Sequence, residues 1–107
     1  MKPLYLHCLF FCHLTLEKLL KGLVVQRTGK PAPHSHELAH LATLAEIDLL
    51  PKQRELLEDI SLFNIAGRYG DEKMAFYKKY NKRISAKKYL DITATLRLWL
   101  EAEYQKK

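Results

Sequence analysis

Glycine and proline are scarce, with four of each in 107 residues. Both interrupt regular structure, so long helices can run unbroken. Cysteine is scarcer: only Cys8 and Cys12 occur. They stand one helical turn apart, and two positions on one helix face rarely meet disulfide geometry. Both read as reduced thiols in a packed helix, which points to a cytoplasmic setting. No apolar run reaches the roughly 18 residues that a membrane span requires. Met1 to Leu16 imitates a signal peptide, with Lys2 ahead of an apolar stretch. Glu17-Lys18 follows at once, and no small-residue cleavage site intervenes. Strand-like alternation, hairpin signals, internal repeats and low-complexity tracts are missing. Gly67 and Gly70 do not make a phosphate loop, and there is no nucleophile elbow. A disulfide scaffold, a membrane-spanning helix, a β fold and a P-loop enzyme are thereby excluded.

What remains is a chain of one-domain size, residues 1–107, with 48% apolar residues. Leu, Lys, Ala and Glu dominate, which favours an all-α fold. The net charge of +6 is unevenly placed. Residues 1–66 carry seven Lys/Arg and seven Asp/Glu, whereas residues 67–107 carry eleven and five. The excess is densest at Lys78, Lys79, Lys82, Arg83, Lys87 and Lys88. Such a patch attracts phosphate backbones or an acidic partner. A solvated helix end that keeps the protein soluble gives the same pattern.

The spacing predicts a helix from Leu4 to about Arg27, with Pro3 in its first turn. One apolar face holds Leu9, Cys12, Leu16, Leu19, Leu20 and Leu23. A second, narrower one holds Phe11, Leu14 and Val25. Two faces imply neighbours on two sides. The first two turns, Leu4 to Phe11, are apolar nearly all round and need cover. Gly29 and the Lys30-Pro31-Ala32-Pro33 linker end the helix. Ser35 is the expected N-cap of a second helix over 36–46 with the stripe Leu38, Leu41, Ala42 and Ala45. Pro51 opens a third, to about Ile65, with Leu56, Ile60 and Phe63 inward and Glu55, Glu58 and Asp59 outward. Ala66 to Asp71 reads as a loop and Glu72 to Tyr80 as a short helix. Ser85 is expected to cap a last helix over 86–105, striped by Tyr89, Ile92, Leu96, Trp99, Leu100 and Glu103.

Three groups of residues carry chemistry. His13, Glu17 and Lys21 recur every four residues, in a row on one helix face. They suit acid–base or phosphate-facing work. They also suit a Glu17–Lys21 ion pair worth ~0.2–0.5 kcal/mol beside a histidine hydrogen-bonded at the core edge. Arg68, Tyr69 and Asp71 join a guanidinium fork, a stacking ring and a carboxylate in one loop, as ligand sites do. Capping of adjacent helix ends would use Arg68 and Asp71 equally well. His36 and His40, like Cys8 and Cys12, have the i, i+4 spacing of zinc ligands. A structural site needs four ligands that converge, and nothing in the sequence brings the pairs together. No metal site is therefore assigned.

Phe11-Cys12-His13-Leu14-Thr15-Leu16-Glu17-Lys18-Leu19-Leu20-Lys21, then Thr28-Gly29-Lys30-Pro31, Ser35-His36-Glu37-Leu38 and Arg68-Tyr69, come in the order seen in one family. Over about residues 5–105 the chain resembles the HEPN domain (higher eukaryotes and prokaryotes nucleotide-binding), most of all its small stand-alone bacterial and archaeal type. The resemblance implies an antiparallel up-and-down helical bundle that forms a homodimer. It implies a minimal nucleotidyltransferase as partner, in a toxin–antitoxin-like pair, and several branches are ribonucleases. It places Arg68, Tyr69 and Asp71 in a nucleotide- or RNA-binding site, with His13, Glu17 and Lys21 nearby, and asks for no cofactor.

Three departures qualify it. The family's usual first helix is missing, which fits the uncovered turns Leu4 to Phe11. Truncation, a misassigned start, or cover supplied by a partner would each account for that. The family's Arg-Tyr-Pro-Asp loop reads Arg68-Tyr69-Gly70-Asp71, and glycine loosens the turn that proline would stiffen. Ribonuclease members carry an Arg, then four to six residues, then a histidine. None follows Arg68, and His40 is the last in the chain. The expected general base is absent there. Arg68 is thus a catalytic candidate only for the alternative reading, an RNA-cleaving toxin. The first reading is a binding and interaction module.

Overall fold

Helix-favouring residues, unbroken for two dozen positions, form the longest of four helices in the computed structural model, which describes residues 4–62 and 83–106. The helices are α1 (Leu4–Thr28), α2 (Leu38–Leu44), α3 (Pro51–Ser61) and α4 (Arg83–Gln105), with no strand among the described residues. Gly29 ends α1 in the left-handed region, at φ 70°. Its N–H donates to the Val25 carbonyl at 2.9 Å, which satisfies one of the helix's last acceptors. Pro31 and Pro33 then keep the segment out of a helix.

The core lies along α1. Leu9, Leu16, Leu20 and Leu23 are fully buried, and Cys12 and Val24 nearly so. Leu38, Leu41 and Ala42 of α2, Leu57 and Ile60 of α3, and Tyr89, Leu96 and Leu100 of α4 enclose them. Burying each leucine contributes roughly 1.5–3 kcal/mol, so α1 anchors the bundle. The contacts also give the directions. The Cys12 thiol approaches the Tyr89 carbonyl and Arg27 meets Glu103, so α4 runs alongside α1 in the same sense. His36 sits by Glu17 and Ala45 by Arg27, so α2 follows α1 too. The Leu38 N–H, opening α2, donates to Ser61 Oγ at the end of α3, so α3 runs against them. Up-and-down order thus passes from α1 through α3 to α4, and the irregular segment 29–37 makes the first return.

Several helix ends differ from expectation. The second helix spans 38–44 rather than 36–46. Ser35 Oγ accepts only the Glu37 N–H, at 3.2 Å, in a local turn. The cap comes instead from Ser61, a tertiary neighbour 2.9 Å from the Leu38 nitrogen. Glu46 closes α2 at φ 61°, and Ile47 N–H reaches back to the Ala42 carbonyl. The third helix stops at Ser61, short of Ile65. Ser85 is not a cap, because α4 is already helical at Arg83. The expected helix 72–80 and the loop 66–71 lie outside the described residues.

The second apolar face of α1 is only partly covered among the described residues, with Leu14 half-buried. Phe11 is 61% exposed, and Val25 is exposed as well. The outer side of α4 adds Ile84 (82%) and Leu98 (64%).

Candidate functional site

The row His13, Glu17, Lys21 faces the returning segment, and what it meets there is His36. Pro31 and Pro33 stiffen the approach, and His36 stands two residues before α2, where its backbone is still free of helical hydrogen bonds. That freedom is why the i, i+4 pairing of His36 with His40 does not form on one helix. His36 turns to α1, while His40 is exposed on α2 beside Glu37, Thr43, Arg54 and Glu58.

Glu17 is the centre. Its side chain is only 9% exposed, yet both oxygens are engaged. Oε2 accepts from Lys21 Nζ at 2.9 Å, and Oε1 accepts from His36 Nδ1 at 2.9 Å. A carboxylate only accepts, so His36 carries its proton on Nδ1. Burial alone would push the Glu17 carboxyl upward, but the hydrogen bonds from His36 and Lys21 together hold it below the ordinary 4.5. The group is therefore ionised at neutral pH.

His13 lies deeper, at 1% exposed. Its Nε2 donates to the backbone carbonyl of His36 at 2.8 Å. That leaves Nδ1 as the bare nitrogen of the neutral ring, 3.5 Å from Glu17 Oε1 and without a hydrogen-bond partner among the described residues. Burial pushes His13 below its ordinary 6.5, against the opposing pull of the His36 carbonyl and the Glu17 charge. His36 is thus held twice, by its carbonyl and by its ring. Its side chain is nonetheless 58% exposed.

A second polar cluster closes the opposite end of the bundle. Arg27 Nη1 donates to the Ala45 carbonyl at 3.2 Å, and Nη2 donates to the Glu103 carbonyl at 2.9 Å and to its Oε1 at 2.8 Å. Lys106 Nζ takes Oε2 at 2.9 Å. Lys106 and Arg27 hold the Glu103 carboxyl below 4.5. Three helix C-termini converge here, and a cation among their unpaired carbonyls is what their dipoles favour. Both Arg27 terminal nitrogens and both Glu103 carboxylate oxygens are engaged, so this is a structural joint.

The structure brings His13, Glu17 and Lys21 together. Arg83, Lys87 and Lys88 are exposed at the start of α4, with Lys88 Nζ 5.2 Å from the centre of the Tyr89 ring. Arg68, Tyr69, Asp71, Lys78, Lys79 and Lys82 lie outside the described residues. Among the described residues no three His, Cys, Asp or Glu side chains are arranged to hold a metal. Nor, among the described residues, is any helix long and apolar enough to cross a membrane. Burial raises the Cys12 thiol, which makes it unreactive. The residue that sequence reasoning left out of the site is His36. Its only local signal is a polar side chain just beyond a stiff linker. The need of a buried glutamate for a second donor shows only once Glu17 is seen to be buried.

A family model described as HEPN domain matches residues 2–103. No curated protein and no solved structure matches the chain.

Proposed function

Because the chain belongs to the HEPN domain family, we propose that it is a nucleotide- or RNA-binding interaction module. In this reading it forms a homodimer in the cytoplasm and partners a minimal nucleotidyltransferase in a toxin–antitoxin-like pair. The match over residues 2–103 carries the reading. The +6 charge, confined to residues 67–107, supports it, because a basic surface gathers phosphate. Arg68, Tyr69 and Asp71 are the proposed ligand contacts, with Lys78, Lys79, Lys82, Arg83, Lys87 and Lys88 drawing in the backbone.

The test is direct. Purified protein is titrated with labelled RNA and scored for both binding and cleavage, beside Arg68→Ala. The expected outcome is binding without cleavage, weakened in the variant and falling steeply with salt. Cleavage that depends on Arg68 would replace this reading with that of a ribonuclease toxin. Co-expression with a nucleotidyltransferase encoded next to the gene should yield a complex that survives size exclusion. If RNA fails to bind and no complex forms, the proposal falls.

A further inference from the structure

We infer that the outward ring nitrogen of His36 is a hydrogen-bond acceptor for a ribose 2′-hydroxyl of bound RNA. The inference deepens the RNA-binding reading and rests on it. The geometry is unusual for a structural contact. Three groups on α1, two of them almost fully buried, converge on residue 36: Lys21 through Glu17 on its ring, His13 on its backbone carbonyl. Lys21 anchors Glu17 at 2.9 Å, Glu17 takes His36 Nδ1 at 2.9 Å, and His13 Nε2 fastens the His36 carbonyl at 2.8 Å. Burying a carboxylate and an imidazole is costly unless they are paired. Both attachments fix residue 36 while its ring stays 58% in solvent. Support of this kind is what fixes the rotamer and tautomer of a contacting side chain.

The chemistry of the ligand follows from the tautomer. A neutral imidazole with its proton on Nδ1 offers only a lone pair at Nε2. That nitrogen has no hydrogen-bond partner among the described residues. It matches a donor and not a phosphate oxygen. Along an RNA strand the donor repeated at every nucleotide, whatever the sequence, is the 2′-hydroxyl. Glu17 acts through His36 and is a positioning residue.

The experiment compares a short mixed-sequence RNA with the DNA of the same sequence, using the full chain at neutral pH. His36→Asn is the informative variant. Its amide nitrogen replaces Nδ1 and keeps the bond to Glu17, but nothing replaces Nε2. Wild type should favour RNA by roughly tenfold, the worth of one hydrogen bond. His36→Asn should bring the ratio to about one while keeping the wild-type melting temperature. Nitrogen-15 spectra should show His36 protonated on Nδ1, with Nε2 shifting on addition of RNA. Equal RNA and DNA affinity in wild type would overturn the inference, as would RNA binding that leaves the His36 signals unmoved. Either result would spare the RNA-binding reading. Absence of RNA binding altogether would end both. A variant that melts early yet keeps its RNA preference would reduce His36 to a clamp.

Discussion

A carboxylate that is nine-tenths buried needs a partner for each oxygen, and Glu17 has Lys21 on one and His36 on the other. The consequence for pH has a definite sign. His13 binds its proton less tightly when folded than the ordinary 6.5, so its contribution to stability is complete above about that value. It is lost as pH falls from there through the lowered folded value. Glu17 and Glu103 are held below 4.5, so their contributions are present above 4.5 and lost further into acid. The melting temperature should therefore be level from neutrality to about pH 9, decline below about pH 6.5, and fall more steeply below 4.5. Circular dichroism melts across pH will show this. His13→Gln keeps a donor for the His36 carbonyl and cannot titrate, so it should erase the first decline alone. A first decline that persists in His13→Gln would assign it to another group. At Arg27 the side chain is 17% exposed and Glu103 is 11% exposed. Arg27→Met should cost about 1–3 kcal/mol in chemical denaturation, because it removes the Arg27 hydrogen bonds to Ala45 and Glu103 and leaves the Glu103 carboxylate to Lys106 alone. Adding Glu103→Leu should recover part of the loss, and no recovery would mean that packing sets the cost.

At the scale of elements, α1 and α4 are joined most closely where glycine allows it. The Tyr104 hydroxyl donates to the Leu19 carbonyl at 2.8 Å across the ring's approach to Gly22. A Cβ at Gly22 would collide with that hydroxyl. In an exposed helix Gly→Ala would stabilise by roughly 1 kcal/mol. Here Gly22→Ala should destabilise, by about 1–3 kcal/mol as overpacking does. The penalty should shrink in a Tyr104→Phe background, which a double-mutant cycle of urea midpoints will measure. A stabilising Gly22→Ala would mean that the two helices separate easily. The same scale explains the misplaced caps. Ser35 and Ser85 both have the residue type of an N-cap, but capping depends on where the backbone turns. At α2 a serine from another helix, Ser61, supplies the oxygen.

For the whole molecule, the open question is what meets the apolar side of α1 and the outer side of α4. Phe11, Ile84 and Leu98 are each more than half exposed. Exposed apolar residues of that size mark association surfaces when they are contiguous. A homodimer is expected, with twice the chain mass in light scattering after size exclusion. Phe11→Lys should shift the population to monomer without lowering the melting temperature of the folded chain. A clean wild-type monomer would refute self-association. A dimer that Phe11→Lys leaves intact would move the interface away from α1. Dimerisation would also gather two basic C-terminal regions on one particle, which steepens the salt dependence of RNA binding.

The helical class, the extent of α1, its stop at Gly29 and the buried stripes of α1 and α4 were all legible in the sequence. Each follows from local rules: a missing breaker, a left-handed glycine, a 3.6-residue period. Glu103 was even visible as the polar end of the α4 stripe, though not its partner. The second apolar face of α1 was visible as well, and among the described residues Phe11 and Val25 of that face stay exposed. What the sequence could not express is which polar group answers which. His36 was read as a helical companion of His40, because spacing along the chain is all that a sequence offers. Only the tertiary fold carries residue 36 back across the bundle to residues 13 and 17. Only there does burial turn a row of three polar side chains into a support for a fourth. The reason is physical: periodicity is set by neighbours in the chain, whereas desolvation and hydrogen bonding are set by neighbours in space.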